Sequence, residues 1–498
     1  MTGSAVAETA AGPASGSQQL SRRAARWVVR LYWLWPMLLT LAVGGYGLGA
    51  PSLWADELAT WGAVRIAWRP LYQLLHNVDA VVGPYFVVEK AWVAIAGDST
   101  VALRVPSLLA MAATAGLLAL LGHRLGGWWV GLVAGGLFAF VPAVSRYGQE
   151  ARPYAFSIFF AVLATLLLLR WLDRPAGDGP GWRSAGWGLG LAYAAAIVAL
   201  GAFQLLAVVL LAGHAVAALR YRRTLRWAVF AGLGLLPLLP LAWLGYRQRG
   251  QISWIDKSAF RGLLAVPDTI FAAGIVAGVL IGLSILVISG RPSTVALFAW
   301  GVVPPVLLFL AGKVAHVFYP RYLLYTMPAW PVLAALALAR TARWRAGVAV
   351  LLVGLLGYPT QYSIRTADGH NDAPRAAAQI IAQHERTGDA IAYKLGESAA
   401  WEARDAVARY VPADKRPADI FAVTPQRTDG KLAATECADL RACLDRANPQ
   451  RLWVLRRFTL TDALDNIGQA KEDLLRPRYH LESLWQVKGL TVALYLRN

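Results

Sequence analysis

Asp56 and Glu57 stand side by side in Leu53-Trp54-Ala55-Asp56-Glu57, directly after the first long apolar run of the chain. Two carboxylates at the mouth of a membrane helix are costly to dehydrate, so the pair is a site candidate by default. Three more clusters accompany it. His76-Asn77-Val78-Asp79 leads into Gly83-Pro84-Tyr85. The run from Ser145 through Arg146, Tyr147, Glu150 and Arg152 to Tyr154 is wedged between two apolar stretches. Lys313, His316, Tyr319, Arg321 and Tyr322 sit between two others. The first two clusters supply carboxylates and the last two supply cations. One set can accept a proton; the other can hold a phosphate, for which the arginine fork is geometrically suited.

These residues must be positioned by membrane helices. Of the 498 residues 57% are hydrophobic and only 15% charged, with a mean hydropathy of +0.46. A soluble domain carries roughly 25% charged residues. The net charge of +19 would suit a nucleic-acid binder, but the basic residues fall in short clusters between apolar runs, which argues against nucleic acid. No CxxC or HExxH metal-ligand motif occurs, so no metal site is expected. The first 20 residues are rich in Ala, Ser and Gly and read as a disordered tail, and residues 1–30 are expected to be cytoplasmic. The apolar run that follows Arg22, Arg23, Arg26 and Arg30 lacks a clear cleavage site and reads as a retained helix.

At ~20 apolar residues per crossing there are about eleven candidate spans. They cover 31–50, 101–121, 127–144, 154–172, 186–201, 203–219, 227–245, 268–289, 293–311, 322–339 and 345–358. With the N-terminus inside, the arginines at 124, 170, 174, 183, 220, 222, 223, 226, 291, 340, 343 and 345 all face the cytoplasm, the positive-inside pattern. Loops 51–100, 145–153, 246–267 and 312–321 then lie outside, with everything after 359. The expected architecture is a mainly α polytopic domain over 31–358, with an outer loop at 51–100, and a small extracytoplasmic α/β domain over 359–498.

Within the outer loop, Arg69-Pro70 opens an amphipathic helix suited to the membrane interface, and a second helix at 84–96 ends at Gly97. The C-terminal part holds most of the chain's 29 acidic residues. Its sequence predicts helices at 372–386, 398–411, near 435–447 and near 462–475, and strands at 390–395, 419–423, 451–457 and 490–497. Cys437 and Cys443, the two cysteines, could form a disulfide in an extracytoplasmic domain, but six apart on a predicted helix they are poorly aligned, which disfavours the bond.

WADE after the first span, HNVDAVVGPYF in the first loop, ALRVPS, SRYGQEARPYA and YPRYLLYTMPAW together resemble the polyprenyl-phosphate-sugar-dependent glycosyltransferases of the GT-C fold. The nearest branch is glycosyltransferase family 39, similar to protein O-mannosyltransferases and to the aminoarabinose transferases that act on lipid A. The ordered set covers roughly residues 30–340. In that branch a His often precedes the Gly of the first-loop motif; this chain has Val82 there.

The resemblance implies transfer of a sugar, mannose or a pentose, from a polyprenyl monophosphate to a hydroxyl of an extracytoplasmic protein, glycan or lipid, with inversion. Asp56 would be the general base, supported by Glu57 and Asp79. Arg146, Arg152, Lys313 and Arg321 would stabilise the leaving phosphate. Trp54, His76, Tyr85, Tyr147, Glu150 and Tyr322 would line the substrates. A monophosphate leaving group makes a catalytic metal unnecessary, so no cofactor is expected.

Blander roles compete with each assignment. Asp56 could be a solvated helix-terminating acid, Glu57 a salt-bridge partner of an outer arginine, and Asp79 a loop cap. Glu150 and Arg152 could pair with each other, and Lys313 and Arg321 could snorkel. His214 reads as a packed histidine, and Trp54 and Trp61 either anchor the interface or stack on a sugar. The rival from another class is a transporter or flippase of lipid-linked sugars. It would show internal repeats and midplane ionisable groups, neither of which the sequence displays.

Overall fold

We describe the chain from a computed structural model over residues 31–174, 185–394 and 400–498. The expected tail at 1–30 lies outside the described residues, as do Arg183 and the start of the helix expected at 398–411.

The N-terminal half is helical throughout. The elements are α1 (Leu34–Gly45), α2 (Ala55–Arg65), α3 (Trp68–Asn77), α4 (Gly83–Ala96), α5 (Thr100–Gly126), α6 (Trp128–Phe140), α7 (Pro142–Gly148) and α8 (Tyr154–Leu172). Each of the eleven apolar runs falls on a helical element, but the count of eleven crossings is not confirmed. Among the described residues five helices are long and apolar enough to cross a membrane, or up to seven if each bent pair is one span. The bent pairs are α6 with α7, at 65°, and Phe260–Phe271 with Gly274–Ile285, at 94°. Leu34–Gly45, Leu205–Arg220 and Ala329–Leu338 are apolar but shorter.

The segment 51–100, expected as an outer loop, is built largely of helices. In α3, Leu71 and Leu74 are buried while Trp68, Tyr72 and His76 are exposed, which is the expected amphipathic pattern. Helix α4 begins at Gly83-Pro84, where proline tolerates the missing N–H, and stops at Gly97, whose φ of 76° suits a residue without Cβ. Ser99 caps α5 by accepting from the Ala102 N–H at 3.1 Å.

The C-terminal part carries a five-stranded mixed sheet in the order β2-β1-β5-β7-β6. The strands are β1 (Ala390–Ala392), β2 (Ala418–Asp419), β5 (Arg451–Arg457), β6 (Tyr479–Val487) and β7 (Leu490–Arg497), and β3 (Ala422–Thr424) pairs with β4 (Thr435–Glu436) apart from them. Strand β1 runs parallel to β2 and β5, whereas β5, β7 and β6 are antiparallel. The strand expected at 419–423 is split between β2 and β3, and β6 was not expected. Alternate residues of β6 are not uniformly buried, so its apolar alternation is weak.

The cysteine expectation is corrected. Cys437 and Cys443 are joined in a disulfide with their Cα atoms 6.6 Å apart. The helix starts only at Leu440, capped by Asp439, so Cys437 lies before it and is free of helical spacing. The other predicted helix is likewise shorter, Gln469–Leu475.

One apolar core joins the two parts. Leu53, Leu58, Trp61 and Val64 of the first outer segment pack with Ile381, Tyr393, Ala406, Trp453 and Leu490 of the C-terminal part. Helix α2, which carries Asp56 and Glu57, is thereby fixed from above by the sheet layer and from below by α5, through Leu103.

Candidate active site

Helix α2 starts with Trp54 in an extended conformation, which turns the chain so that Asp56 and Glu57 occupy its first turn. Acids there favour the positive end of the helix dipole. Asp372 is tied to the segment before the same helix start, its backbone carbonyl accepting from the Ser52 hydroxyl at 3.3 Å.

Glu57 is fully buried. Its Oε1 accepts from Arg104 Nε at 2.8 Å and from the Ala151 N–H at 2.9 Å, and its Oε2 accepts from Arg104 Nη2 at 2.7 Å. His370 Nδ1 stands 3.6 Å from Oε2. Burial alone would raise the Glu57 pKa, but the Arg104 guanidinium and His370 outweigh it and hold the carboxyl well below the usual range. Arg104 also donates to the carbonyls of Leu48, Pro51 and Ser52, at 2.8, 3.1 and 3.2 Å, so it organises the segment leading into α2. Of the two roles weighed for Glu57, its contacts are those of the salt-bridge partner.

Asp56 is placed differently. A quarter of its side chain is exposed, and its Oδ2 lies 3.4 Å from Arg321 Nη1 and 3.9 Å from Arg152 Nε. Arg321 lies over the rings of Trp54, Tyr319 and Tyr154, at 5.2, 4.8 and 5.9 Å from their centroids. Arg146 lies over Trp54 and Tyr147 at 5.7 and 5.6 Å and pairs with Glu150. The pairing weighed between Glu150 and Arg152 is therefore replaced by one between Glu150 and Arg146, one helical turn apart in sequence. Burial raises the Glu150 carboxyl above its ordinary value, with Arg146 offsetting part of the shift.

Asp56, Trp54, Arg146, Tyr147, Glu150, Arg152, Arg321 and, through Tyr319, Tyr322 thus form one contiguous group. Asp79 adjoins it by charge. Burial raises its pKa, Arg152 and Arg427 counter that, and Asp56 adds to it. Its backbone is also a turn element with φ of 59°, tied to Gln251 by its N–H.

Three expected residues lie elsewhere. Lys313 is exposed and donates to the Ser258 carbonyl at 2.9 Å, because its helix end is bound to the 255–259 segment rather than to α2. His76 is exposed and stacks on Tyr72 at the end of α3. Tyr85 is fully buried, in edge contact with Phe156 and beside Phe86. None of the three touches Asp56.

Sequence reasoning did not single out Arg104, His370 or Asp372. Arg104 stood inside the ALRVPS motif, and an arginine one turn into an apolar run must find a partner. His370 and Asp372 follow the last apolar run, and nothing in their spacing ties them to residue 57.

Residues 80–243 match the family described as dolichyl-phosphate-mannose-protein mannosyltransferase. No curated relative matches in sequence. In structure the chain is similar to ArnT from Cupriavidus metallidurans in the apo state, with a TM-score of 0.61 at 12% identity over 95% of this chain and 98% of that one. The same protein bound to undecaprenyl phosphate gives 0.60 at 13% identity, with the same coverage. The archaeal oligosaccharyltransferase AglB from Archaeoglobus fulgidus, in complex with an inhibitory peptide and a dolichol-phosphate, gives 0.50 at 11% identity over 86% of this chain and 70% of that one.

The chain has the GT-C fold. The resemblance read from its motifs is present both in the family match and in the architecture, and the chain is a multi-pass membrane protein. The GT-C frame covers the C-terminal sheet as well, which none of the motifs reached.

Proposed function

We propose that the chain is an inverting glycosyltransferase that moves a sugar, mannose or a pentose, from a polyprenyl-phosphate donor to an extracytoplasmic acceptor. The observation that carries this reading is the partly exposed Asp56 held beside Arg152 and Arg321. In the buried set, Arg104 answers Glu57 and Arg146 answers Glu150, which leaves Arg152 and Arg321 beside Asp56, with Asp79 acting on Arg152 by charge. Two guanidiniums beside one accessible carboxylate suit an anionic leaving group and a proton acceptor together.

Asp56 accepts the acceptor hydroxyl's proton while that oxygen attacks the anomeric carbon. The bond from that carbon to the phosphate oxygen breaks, and its electron pair leaves with the phosphate, which Arg152 and Arg321 stabilise. Arg146 extends the cationic wall and is steadied by Glu150. Glu57 and Arg104 hold the α2 start without touching substrate. Asp79, behind Arg152, tunes the charge of that wall.

In this reading residues 1–30 are a cytoplasmic tail, 31–358 the catalytic membrane domain and 359–498 an extracytoplasmic domain. The undecaprenyl phosphate of ArnT and the dolichol-phosphate of AglB support a lipid-phosphate donor, and the inhibitory peptide in the AglB complex is consistent with a second ligand beside it. The test is transfer from radiolabelled polyprenyl-phosphate sugars by the purified chain. Asp56→Asn is expected to lower turnover by about 10²–10⁴-fold, the range of a lost general base. Unchanged turnover in that variant would remove Asp56 as the base.

A further inference from the structure

Several buried ion pairs among the described residues are tight. Arg104–Glu57, Arg404–Asp419 and Arg427–Asp405 close at 2.7, 2.7 and 2.6 Å, the ordinary length of a charge-assisted hydrogen bond, about 2.7–2.9 Å or shorter. The two pairs on Asp56 do not close, at 3.4 and 3.9 Å. The guanidiniums of both are largely buried, and among the described residues the Nε–H of Arg152 and of Arg321 has no hydrogen-bond acceptor. A buried N–H left without an acceptor is costly. Trp54 contributes a third buried donor of this kind, its indole Nε1–H. Three buried donors in the cluster around Asp56 are therefore unanswered among the described residues.

A phosphate has the oxygens to answer all three. From this we infer that the donor's phosphate and Asp56 compete for the same two guanidiniums, so that the base is freed only when the donor is in place. The inference rests on the functional reading above and adds an order of events to it. In this arrangement Arg152 and Arg321 lean on one oxygen of Asp56, Oδ2. When the lipid phosphate arrives, it draws the guanidiniums away, and Asp56 turns to the acceptor hydroxyl. The rings of Trp54, Tyr319 and Tyr154 hold the Arg321 guanidinium by its faces rather than by fixed hydrogen bonds, which permits that shift. After transfer, Asp56 recaptures the guanidiniums and helps to expel the lipid phosphate. A chain built this way binds donor before acceptor.

The test is binding of undecaprenyl phosphate to the full-length chain in nanodiscs. Asp56→Asn removes the competitor, so it is expected to bind the lipid about fivefold tighter than the wild-type chain, although it has lost turnover. Equal or weaker binding in the variant, beside clear binding by the wild type, would overturn the competition and leave the glycosyltransferase reading intact. Absence of binding by the wild-type chain would remove the lipid-phosphate reading and the competition with it. A structure of the wild-type chain with the lipid gives a second measure, independent of any variant. The Arg321 Nη1 to Asp56 Oδ2 separation should open well beyond its present 3.4 Å, and an unchanged pair overturns the inference.

Discussion

Glu57 is surrounded by a bidentate guanidinium, a peptide N–H and an imidazole, with no exposure. Asp56, one residue earlier, has two open contacts and a quarter of its side chain in the open. Successive residues of an α-helix point roughly 100° apart, so one short turn can send one acid into the core and its neighbour into a groove. The comparison separates two uses of a carboxylate. A fully answered acid fixes geometry; a partly answered acid is left for a substrate to complete.

The largest expected effect tests the closed member. Glu57→Ala leaves the Arg104 guanidinium buried without its counter-charge, which costs about 3–5 kcal/mol. It also loosens the segment from Leu48 to Ser52 that Arg104 ties down. Thermal unfolding in detergent should show a fall of several degrees together with lost activity. Asp56→Asn should unfold within about a degree or two of the wild type, since its two pairs are open, at 3.4 and 3.9 Å, and contribute little. If the two variants lose stability equally, the distinction between a structural and a chemical acid fails.

Much of this was legible in the sequence. Charge clustering, WADE and the outer-face motifs pointed to the fold, to Asp56 and to the cations Arg146, Arg152 and Arg321. The interface helix at α3 and the Gly97 stop could be read from period and turn chemistry, which are local. The part that could not be read is long-range. Arg104 meets Glu57 across 47 residues, and Arg146 and Arg104 meet His370 across 224 and 266. No local pattern encodes such contacts. The disulfide was misjudged because a helix start was placed a few residues early, and cysteine alignment depends on that boundary.

Two buried titratable groups in the C-terminal part set a smaller, pH-dependent contrast. Burial, aided by Arg146, lowers the His370 pKa from 6.5 to about 3. The folded chain refuses a proton that the unfolded chain takes below pH 6.5, so stability is present above 6.5 and is lost as pH falls toward 3. Glu57, also lowered, adds to the acid loss below its ordinary 4.5. Glu402 is the reverse case. Burial raises it from 4.5 to about 8 despite Arg457 at 3.2 Å, with Asp372 and Asp56 adding to the rise. Its contribution is present below 4.5 and is lost as pH rises through 8. Between pH 4.5 and 6.5 the two opposite slopes cancel, so the unfolding temperature should be level there and fall below 4.5 and above 6.5. His370→Asn should flatten the acid limb and Glu402→Gln the alkaline limb. An alkaline limb that persists in Glu402→Gln would place its origin in another group.

The smallest effect sharpens the contrast between two cations that the sequence placed in one cluster. Lys313 and Arg321 are eight residues apart and both face the same side in the topology proposed above. Arg321 is enclosed by three aromatic rings beside Asp56, whereas the Lys313 ammonium is exposed and spends one hydrogen bond on the Ser258 carbonyl. An exposed charge of that kind is screened within about 8–10 Å at ordinary ionic strength. Lys313→Ala should then change transfer by less than about threefold, whereas Arg321→Ala should lose roughly 10²-fold or more, as an electrostatic stabiliser of the leaving group would. Parallel turnover and donor-binding measurements on the two variants decide it. A loss in Lys313→Ala comparable to that in Arg321→Ala would mean that the 313–322 segment closes over the donor during turnover and brings the lysine to the phosphate.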